Sequence, residues 1–77
     1  MRIQKPKDPI LVVDDDPQML QTYRDILSSL GLEFEMFSNG KLALSASEKK
    51  DYSIYISDLD MPVMNGRTFI ANLKSIK

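Results

Sequence analysis

The sequence has 77 residues, a formal net charge of −1, and no cysteine, histidine or tryptophan. This length allows one small domain with a marginal core. The composition excludes disulfides, thiolate metal sites and histidine-based catalysis, and it leaves carboxylates and hydroxyls, which suit hard cations such as Mg2+. The near-neutral charge and the lack of a long apolar run predict a cytoplasmic protein with neither a nucleic-acid nor a membrane partner.

A basic leader and a buried strand open the chain. Residues 1–9 contain Arg2, Lys5 and Lys7 and are interrupted by prolines, so we interpret them as a solvated leader. The uninterrupted apolar run Ile10–Val13 is typical of a strand that is buried on both faces.

A helix is predicted between Asp16 and Gly31. Asp16 is a capping carboxylate, and Pro17 follows it at the first helical position, where proline is well tolerated. Glycine is common just after a helix, so Gly31 marks the end. One apolar stripe at helical spacing comprises Met19, Leu20, Tyr23, Ile26, Leu27 and Leu30.

Two strands and two helices complete the predicted elements. Glu33–Phe37 alternates acidic and apolar residues, as edge strands do, and Ile54–Ser57 is a third strand. The helix at Lys41 to about Lys50 is expected to expose Leu42. Its inward face comprises Ala43, Leu44 and Ser47. The last helix is marked by Phe69, Ile70, Leu73 and Ile76.

The alternation of strands and helices predicts an α/β fold with a three-stranded parallel sheet and helices on both faces. With the first strand central, the strand order is 2-1-3. The chain then changes direction at the carboxyl ends of strands 1 and 3, which is where open α/β sheets bind ligands. Asp14, Asp15 and Asp58 follow these two strands, so we expect their carboxylates to share one pocket.

Clustered carboxylates repel one another unless a cation neutralises them. Mg2+ accepts one or two carboxylates, waters and a phosphate oxygen, and a carboxylate is also a competent nucleophile for phosphoryl groups. The pattern therefore indicates a divalent-cation site with phosphoryl chemistry, in which Asp58, directly after a strand, is best placed for attack.

The combined motifs resemble the receiver domain of two-component response regulators. They are Val12-Val13-Asp14-Asp15, Asp58-x-x-Met61-Pro62 and Asn65-Gly66, in this order and spacing. Gly31 and Asn39-Gly40 also fit. The resemblance covers residues 10–77 and implies a flavodoxin-like receiver fold, of which this chain is the N-terminal part.

The resemblance also implies roles for the aspartates. Asp58 would accept a phosphoryl group from a histidine kinase or a phosphotransfer protein in a phosphorelay. Asp15 would bind Mg2+ directly, Asp14 would bind it through water, and the backbone carbonyl of Asp60 would supply another ligand. Such a phosphoprotein is not an enzyme: it would show at most self-phosphorylation and autodephosphorylation.

The chain also departs from the receiver pattern. The resemblance implies two further strands and helices, with a hydroxyl residue and a lysine that contact the phosphoryl group, and these have no counterpart here. An alternative function is therefore a truncated, non-catalytic fragment that binds metal or self-assembles. The exposed edge of strand 3 predicts a homodimer in which two copies of Ile54–Ser57 pair.

The sequence around Asp58 has two other interpretations. Asp58-x-Asp60 after an apolar strand resembles the nucleophile motif of haloacid-dehalogenase-type phosphatases, although Pro62 stands where that motif has threonine or valine. An EF-hand is excluded, because the sixth loop position, which requires glycine, is Val63.

Overall fold

The computed structural model describes residues 7–58 and 66–76. Within them the chain forms six elements in the predicted βαβαβα order. They are β1 (Ile10–Val13), α1 (Pro17–Ser29), β2 (Phe34–Phe37), α2 (Gly40–Lys49), β3 (Ile54–Ser57) and α3 (Gly66–Ile76). Most of the leader and the loop before α3 lie outside the described residues.

The sheet is parallel, and its strand order is β2-β1-β3, as predicted. Val12, for example, pairs with Met36 on one side and with Ile56 on the other. The central strand β1 has neighbours on both edges and helices on both faces, so all its residues are buried. This explains why its sequence is a continuous apolar run rather than an alternating one.

The start and end signals of α1 work as predicted. The Asp16 carboxylate accepts a hydrogen bond from the Gln18 amide at 3.0 Å, and Pro17 occupies the first helical position. Gly31 has a φ of 71°, a left-handed conformation in which glycine avoids the Cβ clash. The second helix begins in a similar way, because Asn39 Oδ1 accepts from the Leu42 amide at 2.9 Å.

The sheet carries a separate apolar cluster on each face. The α1 face is built around buried Ile10, Val12 and Leu27, with Leu20, Tyr23, Leu32, Phe34, Met36 and Ile56 packed against them. The α2–α3 face is built around buried Leu11, Val13, Ala43, Tyr52, Phe69 and Leu73. Alternating residues of β1 thus support the two clusters, as the two-residue period of a strand requires.

Several apolar residues of the predicted stripes are exposed. In α1 only Leu27 is buried, whereas Ile26 is 50% exposed and Leu30, which follows the helix, is 44% exposed. The apolar stripe of α1 therefore extends beyond the part of the helix that packs on the three-stranded sheet. The other exposed positions on these stripes are Met19, Ile70 and Ile76, and Leu42 is exposed as predicted.

A polar cluster closes the amino-terminal end of the α2–α3 face. Tyr52 lies just before β3 and is buried, and its hydroxyl donates to Glu35 Oε1 at 2.6 Å. Glu35 also pairs with Lys50, whose ammonium lies 5.8 Å from the centre of the Tyr52 ring. The Tyr55 ring meets Tyr52 edge-on, with centroids 5.9 Å apart. This cluster joins β2 to the segment before β3 across the central strand.

None of the helices in the described part of the chain combines the length and apolar character needed to cross a bilayer.

Candidate metal centre

The backbone holds Asp14 and Asp58 at the same edge of the sheet. Each lies one residue beyond a strand and continues that strand's hydrogen bonding. The Asp14 amide donates to the Phe37 carbonyl at 3.1 Å, and the Asp58 amide donates to the Val13 carbonyl at 3.1 Å. These bonds tie both aspartates to the rigid sheet rather than to a loop.

Asp14, Asp15 and Asp58 form one acidic cluster. Each offers a carboxylate oxygen, and these oxygens all lie within 4.8 Å of one another. Asp14 is buried, Asp58 is half-buried and Asp15 is exposed. The structure therefore brings together the three predicted side chains at the carboxyl ends of β1 and β3.

The donor set fits Mg2+. All three groups are hard oxygen ligands, and opposite ligands of an octahedral Mg2+ are about 4.2 Å apart because each bond is about 2.1 Å long. Oxygens up to 4.8 Å apart suit an ion that contacts some carboxylates directly and another through water. Asp15 is exposed, so an ion at this site would remain accessible to waters or a phosphate oxygen.

Asp14 is the most buried member of the acidic cluster. Burial raises the pKa of its carboxyl above the ordinary value of 3.8, and repulsion from Asp58, Asp15 and Asp16 raises it further. The Asp16 amide opposes this shift by donating to Asp14 Oδ1 at 3.0 Å. A buried carboxylate among like charges is a group that a bound cation would stabilise.

Other parts of the predicted site differ in how far the structure describes them. Ser57 Oγ donates to the Asp58 carbonyl at 3.0 Å, a contact that the sequence did not suggest. Asp60, the predicted carbonyl ligand, and the adjoining motif residues Met61, Pro62 and Asn65 lie outside the described residues.

Sequence comparison matches residues 10–77 to the family model described as the response regulator receiver domain. The chain belongs to this family. The match confirms the predicted resemblance.

Solved structures of receivers share this fold. CheY4 from Vibrio cholerae superposes with a TM-score of 0.84 at 31% identity, over 91% of this chain and 58% of that one. TrrA from Thermotoga maritima, solved in complex with Mg2+ and BeF, gives a TM-score of 0.85 at 30% identity, over 91% of this chain and 61% of TrrA. A second structure holds TrrA in complex with the histidine kinase ThkA (TM-score 0.84, 30% identity, 91% of this chain and 60% of that one).

Among curated relatives, an uncharacterized 14.6 kDa protein of Leptolyngbya boryana is 36% identical over 67 residues. That alignment covers 87% of this chain and 51% of the relative. The chain thus spans about half the length of that relative, and somewhat more of the solved receivers.

Proposed function

We propose that this protein is a phosphoacceptor in two-component signalling, and that Asp58 receives the phosphoryl group in a Mg2+-dependent reaction. The observation that carries the proposal is the meeting of three carboxylates at the carboxyl ends of β1 and β3, with oxygens within 4.8 Å of one another. This edge of an open α/β sheet is where such folds bind ligands.

The aspartates take distinct roles in this proposal. Asp15 is exposed and binds Mg2+ directly, whereas buried Asp14 holds the ion through a water. The backbone of Asp58 is held by the hydrogen bond that its amide donates to the Val13 carbonyl, so its carboxylate is presented from the end of a strand. Asp60 contributes its backbone carbonyl. The bound Mg2+ offsets the negative charge of the acidic cluster and of the phosphoryl oxygens.

The donor is a phosphohistidine. An oxygen of the Asp58 carboxylate attacks phosphorus and forms an acyl phosphate, while the phosphorus–nitrogen bond breaks and the histidine ring leaves with a proton from solvent. A histidine kinase is the proposed partner. Support comes from the TrrA relative, whose structure was solved in complex with the kinase ThkA.

The test is the intact mass of the protein after incubation with Mg2+ and acetyl phosphate. We expect one phosphoryl adduct that disappears in Asp58→Asn and when Mg2+ is chelated. The matched control is Asp25→Asn, which makes the same substitution on the exposed surface of α1, where Asp25 accepts a hydrogen bond from Gln21. This variant should still form the adduct. A folded sample that gives no adduct, or an adduct that persists in Asp58→Asn, would overturn the phosphoacceptor role of this chain.

We also propose that the 77-residue chain forms a homodimer through β3. In the sheet formed by the described residues, β3 is an edge strand, and its Ile54 is 49% exposed. An edge strand with an apolar face is a template for a further strand. A two-fold axis through this edge would pair β3 with β3 of a second copy and would give one continuous sheet.

Sedimentation velocity at micromolar concentration tests the dimer. We expect a dimer in the wild type and a monomer in Ile54→Lys, because a charge on an edge strand opposes pairing. Leu42→Lys is the matched control, since Leu42 is 53% exposed and lies on α2, away from this edge. A folded wild-type monomer across the whole concentration range would exclude the dimer.

A further inference from the structure

Asp16 connects α1 to the acidic cluster through hydrogen bonds of its side chain and its backbone. Its carboxylate accepts from the Gln18 amide in the first turn of α1 at 3.0 Å. Its own amide donates to Asp14 Oδ1, also at 3.0 Å. One residue therefore caps the helix with its side chain and contacts a site carboxylate with its backbone.

The local sequence fixes this arrangement. Asp16 precedes Pro17, and the proline ring disfavours the helical conformation for the residue before it. Asp16 accordingly has extended φ and ψ of −91° and 114°. The cap and the Asp16 carbonyl, which accepts from the Leu20 amide at 3.0 Å, restrict the remaining freedom, because both tie Asp16 to a helix that packs on the sheet. The Asp-Pro sequence and the contacts with α1 thus hold the backbone of Asp16, which carries the amide that contacts Asp14.

The consequence for the site is geometric. Asp14 is 5% exposed, and its Oδ1 is held by the Asp16 amide. A carboxyl group is planar, so fixing one oxygen also fixes the rotation of the group and the position of Oδ2. Metal ligands are commonly oriented by such outer hydrogen bonds, and removing one weakens metal binding.

We propose that Asp16 is a positioning residue for the Mg2+ site: its cap on α1 aims its amide at Asp14 and so sets the orientation of the Asp14 carboxylate. This inference rests on the proposed function only in assuming that the acidic cluster binds Mg2+. It goes beyond helix capping, because a cap alone has no effect on metal affinity.

The test compares substitutions that remove the same charge but differ in capping. Asp16→Asn and Asp16→Ser keep a side-chain oxygen that caps well, whereas Asp16→Ala does not. Mg2+ affinity is measured by calorimetry on the full chain. We expect Asp16→Ala to bind Mg2+ about fivefold more weakly than Asp16→Asn, which is the factor that corresponds to the loss of one cap. Asp16→Ser should match Asp16→Asn.

A control, a second variant and a second readout separate positioning from general destabilisation. Asn39→Ala removes the corresponding cap of α2, and it should lower stability without lowering Mg2+ affinity. Asp16→Gly replaces Asp16→Ala if the latter is not folded, because glycine at a cap costs the helix only a few tenths of a kcal/mol. The amide resonance of residue 16 should shift on Mg2+ addition in wild type and Asp16→Asn, and shift less in Asp16→Ala or Asp16→Gly.

Equal Mg2+ affinity in Asp16→Ala and Asp16→Asn would overturn the positioning role, as would an equal loss in Asn39→Ala. A wild-type protein that is folded but does not bind Mg2+ would instead overturn the proposed metal site itself. The failure of the inference and the failure of the proposed function therefore give different results.

Discussion

The two faces of the sheet are covered to different degrees. On the α2–α3 face, two helices and Tyr52 enclose the cluster, and Phe69 is completely buried. On the α1 face, the described residues provide one helix, and Ile26 and Ile54 are about half exposed (50% and 49%). The same central strand β1 thus supports a closed core on one side and an open one on the other.

This difference separates the part of the fold that carries stability from the part that is available for contacts. Burial of apolar area is the main favourable contribution to folding. Side chains on the α2–α3 face should therefore contribute most to the free energy of unfolding, and those at the open margin of the α1 face should contribute least. The acidic cluster lies at the strand ends between the faces and depends on both.

Phe69→Ala should have the largest effect. Phe69 is 0% exposed in the closed core, and removal of a buried aromatic ring typically costs about 3 to 5 kcal/mol. We expect a largely unfolded chain, measured by far-ultraviolet circular dichroism in urea. The control is Ile70→Ala, one residue along α3, where 39% of the residue is exposed. Similar losses in both variants would contradict the closed-core description.

Leu27→Ala should have an intermediate effect. Leu27 is 6% exposed and is the buried residue of α1, and we expect a loss of about 2 to 3 kcal/mol, in the lower part of the range for buried leucine. Leu30→Ala is the matched control, because it makes the same truncation at a position that is 44% exposed. If both variants lost the same stability in urea titrations, a further covering element on the α1 face would be indicated.

Sequence patterns predicted the elements and the meeting point of the aspartates. The uninterrupted run Ile10–Val13, the Asp16-Pro17 cap and Gly31 are local signals whose meaning is fixed by backbone chemistry. The convergence of Asp14 and Asp58 followed from topology, since parallel strands next to each other end at one edge. These predictions needed no knowledge of side-chain packing.

Other features were beyond the reach of these patterns. The Tyr52–Glu35 hydrogen bond joins residues 17 positions apart, and neither residue belongs to a motif. The exposure of Ile26 depends on how much sheet lies beneath α1, which helical periodicity does not report. The Asp16 amide contact with Asp14 involves a backbone donor, and side-chain patterns contain no signal for it.

Tyr52→Phe should have a smaller, pH-dependent effect. The variant loses the hydroxyl that donates to Glu35, which we expect to cost about 1 kcal/mol near neutral pH. Hydrogen bonds, the larger effect from Lys50 and the smaller from Tyr52, lower the pKa of the Glu35 carboxyl below its ordinary value of 4.5. The stabilisation of the fold by the ionised Glu35 carboxylate is fully present above pH 4.5 and is lost as the pH falls through the lowered pKa. The difference between wild type and Tyr52→Phe should therefore narrow in acid.

The difference in stability between wild type and Tyr52→Phe should also depend on pH in the alkaline range. Burial, followed by the bond to Glu35, raises the pKa of Tyr52 above its ordinary value of 10.0. The neutral Tyr52 hydroxyl stabilises the fold fully below pH 10.0, and this contribution is lost as the pH rises from 10.0 through the raised pKa. The difference in stability between wild type and Tyr52→Phe should therefore narrow again in alkali. Urea titrations at a series of pH values measure the difference in both the acid and the alkaline range. The control is Tyr55→Phe, and a gap between wild type and Tyr52→Phe that stays constant from pH 3 to pH 11 would contradict the role of the Glu35 bond.

Ile26→Ala should have the smallest effect. Ile26 is 50% exposed, and alanine is the better helix former, so the change in stability should stay within about 0.5 kcal/mol. Urea titrations at two protein concentrations measure it. A cost above about 1 kcal/mol that grows with concentration would mean that a second copy covers the open margin of the α1 face, since binding to the folded state stabilises it by mass action. A large cost that does not depend on concentration would instead mean that other residues of the same chain cover Ile26. That result would contradict the difference in burial between the two faces.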